Sequence, residues 1–304
     1  MTNYHNPVLL RTSVDLLVSD PAAAYVDVTF GGGGHSREIM QRLAPQGRLL
    51  AFDQDSDSRQ NALTDSRFTF VAANFRHLKQ FLQYHQSYPV QGILADLGVS
   101  SHQLDTPDRG FSHRYAGALD MRMNQSKGLS ARDILNSYTE TQLATLFYTC
   151  GELSNGRKIA AQIVKERQNQ AIETTEQLTE TVSKLLLRGK ENKMLSQLFQ
   201  ALRIEVNDEI TALKEFLLQC TDAIAAGGHL VVIAYHSLED RLVKNFMKSG
   251  NFEGNIEKDF FGNPLSPFKP IFNKVLIPNE EEIAANPRAR SAKLRAAVKI
   301  EHHL

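Results

Sequence analysis

A run of four glycines near the N-terminus follows a short apolar segment, and an acidic residue follows the next such segment. Residues 24–30 read Ala-Tyr-Val-Asp-Val-Thr-Phe and lead directly into Gly31–Gly34. Glycines let the backbone turn sharply and let a ligand approach main-chain N–H groups. Asp53 comes about 20 residues later, where a carboxylate accepts hydrogen bonds from the ribose hydroxyls of a bound nucleoside. Together the two features predict a nucleoside-binding site.

The glycine run does not follow the dinucleotide fingerprint G-x-G-x-x-G. Counted from Gly31, the position of the third glycine falls on Ser36. An acidic residue such as Asp53 serves NAD and S-adenosylmethionine equally well. An NAD-dependent oxidoreductase therefore stays an alternative, but the missing glycine favours a nucleoside ligand without a pyrophosphate.

Two more polar segments follow apolar stretches further along the chain. The first is Asp96–Ser101 (Asp-Leu-Gly-Val-Ser-Ser) with Gln103 beyond it, and the second is Tyr235–Arg241. Ligands of open α/β sheets bind at the carboxyl ends of strands, so substrate and cofactor should meet at Asp96. His236 would lie beside the same crevice. Two alternatives stay open: a simple helix-capping turn at 96–101, and a hydrogen-bonded structural role for His236.

The elements that position these groups change character along the chain. Between residues 24 and 98, four β-type segments alternate with helical stretches (24–30, 48–53, 68–73 and 91–97). This alternation predicts right-handed βαβ units and a parallel sheet. Residues 229–235 predict a fifth strand and 292–300 a last one, whereas residues 250–290 read as loop.

The stretch from about 130 to 226 has helical periodicity instead. Capping boxes are expected at Ser130, Thr139 and Thr174, each with Asp or Gln three residues later. The simplest architecture is a doubly wound α/β domain, formed by residues 1–105 and 210–304, interrupted by a helical insert at 106–209.

The composition limits the classes of protein that the chain can represent. Of its 304 residues, 42% are hydrophobic, and 34 Lys plus Arg balance 34 Asp plus Glu, which excludes a polybasic protein. No apolar run approaches the ~20 residues of a membrane span, and the first residues do not read as a signal peptide. Cys150 and Cys220 form no disulfide framework, and no metal-ligand spacing occurs. We expect a cytoplasmic protein that needs no metal.

Landmarks over nearly the whole chain resemble one family. They are Asn6–Leu10, Asp27–Ser36, Asp96–Ser101, Arg109–Ser112, Leu119–Met123, Gly151–Glu152, Phe199–Asn207, His236–Arg241 and Asn286–Ser291. In sequence and order they are similar to those of the bacterial S-adenosylmethionine-dependent methyltransferases that modify cytosine N4 in 16S ribosomal RNA, the RsmH or MraW family.

The resemblance implies a class I S-adenosylmethionine-dependent methyltransferase fold, a seven-stranded doubly wound sheet whose last strand is antiparallel, with an all-helical inserted domain for substrate recognition. The implied cofactor is S-adenosyl-L-methionine. The implied substrate is a specific cytidine in the 16S rRNA of the small ribosomal subunit, at the decoding centre. By matching position, the implied cofactor-binding residues are Gly33, Gly34, His35, Asp53, Phe75, Asp96 and Gln103.

The expected catalytic residues are Asp96, Ser100, Ser101 and His236. The target base needs a stacking ring, for which Phe111 and Tyr235 are the candidates. We expect RNA contacts from Phe111 and from the basic residues Arg109, Arg114, Arg122, Arg288, Arg290 and Arg295. Residues 125–210 carry eleven basic and eleven acidic residues, so the insert is expected to contribute shape more than charge. A methyltransferase acting on DNA or a small molecule, and a non-catalytic RNA-binding module, stay as alternatives.

Overall fold

The computed structural model describes residues 7–262 and 265–301, so Asn6 of the first landmark lies outside the described residues. The chain divides into two compact units. The first comprises Met1–Gly98 and Thr211–Leu304, and the second Val99–Ile210. The first boundary falls seven residues before the expected 105/106, because Val99 and Leu104 pack on the apolar core of the second unit. The second boundary falls one residue after the expected 209/210.

Within the described residues, seven strands form one sheet in the first unit, in the order β3-β2-β1-β4-β5-β7-β6. The strands are β1 Ala24–Asp27, β2 Arg48–Phe52, β3 Phe68–Val71, β4 Val90–Asp96, β5 Ile224–Ala234, β6 Phe268–Pro270 and β7 Lys293–Lys299. The first five run parallel, and β7 is antiparallel to both β5 and β6. This confirms the predicted class I methyltransferase fold.

The sixth strand was not expected from the sequence. It occupies residues 268–270, inside the stretch that reads as loop, and it pairs with β7. A three-residue strand that ends in proline shows no alternation of apolar and polar residues, so only the tertiary pairing reveals it. The short helix at 280–285 lies in the same stretch and was missed as well.

The described residues contain twelve α-helices. They are α1 Leu10–Leu17, α2 Gly34–Arg42, α3 Leu78–Tyr84, α4 Ser101–Asp105, α5 Ala131–Ser137, α6 Glu140–Thr149, α7 Gly156–Glu166, α8 Thr175–Val182, α9 Glu191–Asn207, α10 Glu209–Ala223, α11 Ser237–Ser249 and α12 Glu280–Ala285. None of these helices has the length and apolar character that crossing a membrane requires.

The sheet is buried on both faces, as successive strand residues show. Val26 and Leu50 belong to one apolar cluster, together with residues of α3, α10 and α11. Their neighbours Tyr25 and Leu49 belong to another, together with residues of α1 and α2. Because side chains alternate across a strand, the two clusters lie on opposite faces. The strand ends are therefore held rigidly between two helical layers.

The second unit is helical, with one isolated bridge between Ala118 and Thr174. Its apolar core draws on α5 to α9. The three predicted capping boxes are confirmed: the side chains of Ser130, Thr139 and Thr174 cap α5, α6 and α8. Such caps satisfy N–H groups that the first helical turn leaves unpaired, which explains why the sequence pattern predicted these helix starts correctly.

Candidate active site

The glycine run forms the turn between β1 and α2. Gly31 and Gly33 have φ values of +49° and +74°, in the left-handed region that favours glycine. A Cβ atom at Gly34 would lie 2.1 Å from Cγ of Pro7, so no larger residue fits there without movement. The N–H of Gly33 donates to the Phe30 carbonyl at 2.7 Å, and the turn leads into the N-terminal end of a nine-residue helix, where the first N–H groups have no partner within the helix.

Asp53 follows β2 and faces this turn. Its Oδ2 accepts the N–H of Gly31 at 2.8 Å, and its Oδ1 accepts the N–H of Asp55 at 2.8 Å. Burial raises the pKa of Asp53 to about 6, although these two backbone hydrogen bonds oppose the shift. Each carboxylate oxygen keeps a lone pair beyond these bonds. The geometry therefore fits acceptance of ribose hydroxyl hydrogen bonds.

Asp27, at the end of β1, is a buried acid that the sequence analysis did not single out. It is 1% exposed and accepts the hydroxyl of Ser36 at 2.7 Å and the N–H of Thr29 at 3.1 Å. Burial raises its pKa, and the nearby His35 is the largest opposing influence. An acidic residue inside an apolar β segment was the available signal. Through Ser36, Asp27 ties the start of α2 to the end of β1.

Asp96 lies at the end of β4, where sequence reasoning placed the meeting point of substrate and cofactor. Its Oδ1 accepts the hydroxyl of Tyr235 at 2.8 Å, and its backbone N–H donates to Oγ1 of Thr29 at 2.6 Å. Oδ2 lies 3.7 Å from Nδ1 of His35, and the Asp96 side chain is 22% exposed. The carboxylate is therefore held in position and remains partly accessible.

The ionisation of Asp96 reflects these neighbours. Burial raises its pKa to about 6, and the proximity of Asp27 and Glu239 adds to the increase. His35 and the Tyr235 hydroxyl act in the opposite direction. Asp96 is consequently ionised at neutral pH, and it gains a proton under mildly acidic conditions.

His35, the second residue of α2, connects the glycine turn to Asp96. It is 5% exposed, and its Nε2 lies 3.2 Å from the carbonyl oxygen of Val8. Because a carbonyl only accepts hydrogen bonds, we assign the ring hydrogen to Nε2. Nδ1 then faces Oδ2 of Asp96.

Tyr235 and His236 lie at the start of α11, and Glu239 organises both. The N–H of Tyr235 donates to Oε2 of Glu239 at 3.0 Å. His236 caps α11: its Nδ1 accepts the N–H of Glu239 at 3.4 Å, and its Nε2 lies 3.1 Å from Oε1 of Glu239. The hydrogen-bonded structural role that the sequence left open for His236 is therefore present, and its catalytic role stays a prediction.

Phe75 follows β3 and lies at the margin of the core of the first unit. Its ring packs edge-on against Phe216, with 5.3 Å between centroids, and it is only partly buried. A partly buried aromatic ring can stack one face on a planar ligand such as adenine. The cofactor contact predicted for Phe75 is compatible with this placement.

Ser100, Ser101 and Gln103 belong to the second unit, at the start of α4. Ser100 and Gln103 form a capping box: the Ser100 hydroxyl accepts the N–H of Gln103 at 3.2 Å, and Oε1 of Gln103 accepts the N–H of Ser100 at 3.0 Å. The capping turn that the sequence left open is therefore present. The substrate and cofactor contacts predicted for these residues stay predictions.

Two of the expected RNA contacts are buried in the second unit. Arg109 is 4% exposed, and its Nη2 donates to the carbonyls of Arg122 and Met123 at 3.0 and 3.2 Å. Phe111 is 6% exposed within the apolar core, with the Arg109 guanidinium 5.7 Å from its ring. This burial does not favour a phosphate contact of Arg109 or base stacking by Phe111, and both contacts stay predictions.

Two other arginines of the expected set are engaged in ion pairs. Arg122 binds Asp120 through two hydrogen bonds of 2.9 and 2.7 Å. Arg295 donates to Asp240 at 2.6 Å. The remaining three, Arg114, Arg288 and Arg290, are exposed. Of the six expected arginines, these three have the exposed side chains that phosphate binding requires.

Sequence comparisons cover the whole length of the chain. Three relatives bear the name Ribosomal RNA small subunit methyltransferase H. Proteins from Bacteroides fragilis (strain ATCC 25285) and Bacteroides thetaiotaomicron are 57% identical over 298 residues and 58% identical over 296, covering 98% and 97% of both chains. One from Christiangramia forsetii is 55% identical over 300 residues, covering 99% of both. The family model described as the MraW methylase family matches residues 2–300, and the chain therefore belongs to the MraW methylase family.

Proposed function

We propose that this protein transfers a methyl group to the N4 amine of a specific cytidine in 16S rRNA of the small ribosomal subunit, at the decoding centre. The observation that carries the proposal is the full-length similarity to relatives named Ribosomal RNA small subunit methyltransferase H. The choice of cytosine N4 and of the decoding centre rests on the resemblance of the motifs described above.

The methyl donor is S-adenosylmethionine, as membership of a methylase family implies. Bound in the first unit, it supplies an electrophilic methyl group. The residues at the strand ends fit this ligand. Asp53 offers lone pairs to ribose hydroxyls. Gly33 makes the turn into α2, and Gly34 begins this helix, whose first N–H groups have no carbonyl partner within the helix. Phe75 provides a partly exposed ring at the end of β3.

Asp96 is the proposed acceptor for the target amine. The exocyclic amine of cytosine is a poor nucleophile, because its lone pair is delocalised into the ring. A carboxylate that accepts a hydrogen bond from one of the amine's N–H groups lets the nitrogen pyramidalise. It also stabilises the positive charge that develops on this nitrogen during the reaction. With a pKa of about 6, Asp96 is ionised at neutral pH and can accept that bond. Ser100 and Ser101 remain proposed further acceptors.

Tyr235 holds Asp96 for this task. Its hydroxyl donates to Oδ1, so Oδ2 is the oxygen that faces away from this bond. The backbone N–H of Tyr235 in turn donates to Oε2 of Glu239, which holds Tyr235 in place. An acceptor that is fixed before the substrate arrives needs no reorganisation during the reaction.

The decisive experiment is the transfer of labelled methyl from S-adenosylmethionine to small ribosomal subunits from cells that lack this modification. Nucleoside analysis of the product identifies the acceptor atom. We expect N4-methylated cytidine. Binding of S-adenosylmethionine without any transfer would refute the proposed substrate and direct the search to DNA or small molecules.

A second experiment separates the two possible roles of Asp96. The Asp96→Ala variant is compared with the wild type in cofactor affinity and in turnover. Unchanged affinity with lost turnover supports the role at the target amine. A loss of affinity that accounts for the whole loss of turnover would instead assign Asp96 to cofactor binding.

A further inference from the structure

The second unit carries an exposed segment rich in positive charge, residues 184–193, which we call the basic loop. It reads Lys-Leu-Leu-Leu-Arg-Gly-Lys-Glu-Asn-Lys and connects the end of α8 to the start of α9. Its four cations, Lys184, Arg188, Lys190 and Lys193, are all exposed. Unlike Arg122 and Arg295, none of them forms an ion pair with any residue that the structure describes.

The one acidic residue of the basic loop does not neutralise these cations, because it serves the loop backbone. Oε1 of Glu191 accepts the N–H of Gly189 at 2.9 Å. A hydrogen bond from the backbone N–H of Glu191 to its own carboxylate, together with the bond from Gly189, lowers the pKa of Glu191. The loop is also tied by the N–H of Lys190, which donates to the Leu187 carbonyl at 2.9 Å. The basic loop thus has a defined shape and a net charge of +3.

A second source of positive charge lies beside the basic loop. Nδ2 of Asn155 donates to the Leu185 carbonyl at 3.0 Å, which fastens the start of α7 to the loop. Arg157 and Lys158, two and three residues after Asn155, are exposed and have no ion-pair partner among the described residues. The fold therefore gathers six cations from two separate stretches of a segment that is neutral as a whole.

We propose that the basic loop, together with Arg157 and Lys158, binds the phosphate backbone of the RNA substrate. The proposal rests on the proposed function, because it assumes an RNA substrate. A row of phosphates is the polyanion that such a cluster attracts, and binding releases condensed counterions. Cations without ion-pair partners make this contact without first breaking an intramolecular bond. The insert would then supply charge at one local surface, although its total charge is balanced.

The test uses equilibrium binding to small ribosomal subunits over a series of monovalent salt concentrations. The loop variant is K184Q/R188Q/K190Q/K193Q in the full-length protein. The matched control, K127Q/K165Q/K244Q/K248Q, removes the same number of exposed cations elsewhere. Loss of four phosphate contacts should reduce the slope of log affinity against log salt by about 3. The control should change it by less than ~1.

A slope that is equal in wild type and loop variant would overturn the inference, as would an equal reduction in the control. Thermal unfolding and S-adenosylmethionine binding should be unchanged in both variants, which shows that any difference does not come from misfolding. Methyl transfer by the wild type to the same subunits is measured in parallel. No transfer by the wild type refutes the proposed function, whereas transfer with an unchanged slope refutes only the role of the basic loop.

Discussion

Replacing Asp96 with Asn should make the protein more stable and inactive at the same time. Burial raises the pKa of Asp96 from its usual 3.8 to about 6, so the folded state disfavours the charged form. Asn has the same shape and no charge. Its carboxamide oxygen can accept the Tyr235 hydroxyl, and its NH₂ group can donate to Nδ1 of His35.

The size and the pH dependence of the stability gain in Asp96→Asn follow from the raised pKa of Asp96 in the folded state. One pKa unit corresponds to ~1.4 kcal/mol, and the side chain is 22% exposed, so we expect a gain of roughly 1–3 kcal/mol. For an acid whose pKa is raised by folding, the native state binds more protons than the unfolded state. Wild-type stability is therefore lost as pH rises between the two pKa values, 3.8 and about 6.

Denaturant unfolding of wild type and Asp96→Asn at about pH 4 and about pH 8 tests this reasoning. The variant should be more stable near pH 8, and most of the difference should vanish near pH 4. Raised pKa values of Asp27 and Asp53 affect both proteins and largely cancel in the comparison. Methyl transfer should fall by about 100-fold or more. A variant less stable at pH 8, or a pH-independent difference, would refute the burial argument.

Three further predictions concern single residues. Tyr235→Phe removes a hydrogen bond that lowers the pKa of Asp96, so the acidic limb of the pH–rate profile should move up by about one unit; an unmoved limb would contradict this. Gly34→Ala places a Cβ 2.1 Å from Pro7, and calorimetry should show weaker S-adenosylmethionine binding, whereas wild-type affinity would exclude a role for this close approach. Arg109→Met should lower the unfolding midpoint while leaving the salt dependence of RNA binding unchanged; a reduced salt slope would restore Arg109 as a phosphate contact.

The regular part of the fold was predictable because its signals are local. The first four strands lie where apolar β segments alternate with helical stretches, and three capping boxes start helices where the sequence places them. The fifth strand, Ile224–Ala234, contains most of the predicted segment 229–235 but begins five residues earlier. Strand β6 escaped prediction because its three residues acquire their conformation only by pairing with β7. The first boundary of the second unit also depends on packing, because the Val99 side chain packs on the apolar core of that unit.

The positions of the candidate site residues were predictable for a topological reason. Parallel strands end at the same edge of a sheet, so the residues that follow β1, β2 and β4 must lie near one another. Asp53 and Asp96 were therefore found without a structure. The buried Asp27 carried a weaker signal, an acid within an apolar strand, and only its contacts with Ser36 and Thr29 show its place in the site.

Sequence by itself determined the family, the seven-stranded sheet with an antiparallel last strand that the family implies, and the kind of residue at each strand end. Only the tertiary structure decided which charged groups are free to act. Arg109 is buried and Arg122 and Arg295 are ion-paired, whereas the cations of the basic loop are exposed. Sequence composition counts charges equally, but burial and pairing depend on residues distant along the chain. Those long-range contacts set both the pKa of Asp96 and the surface available to RNA.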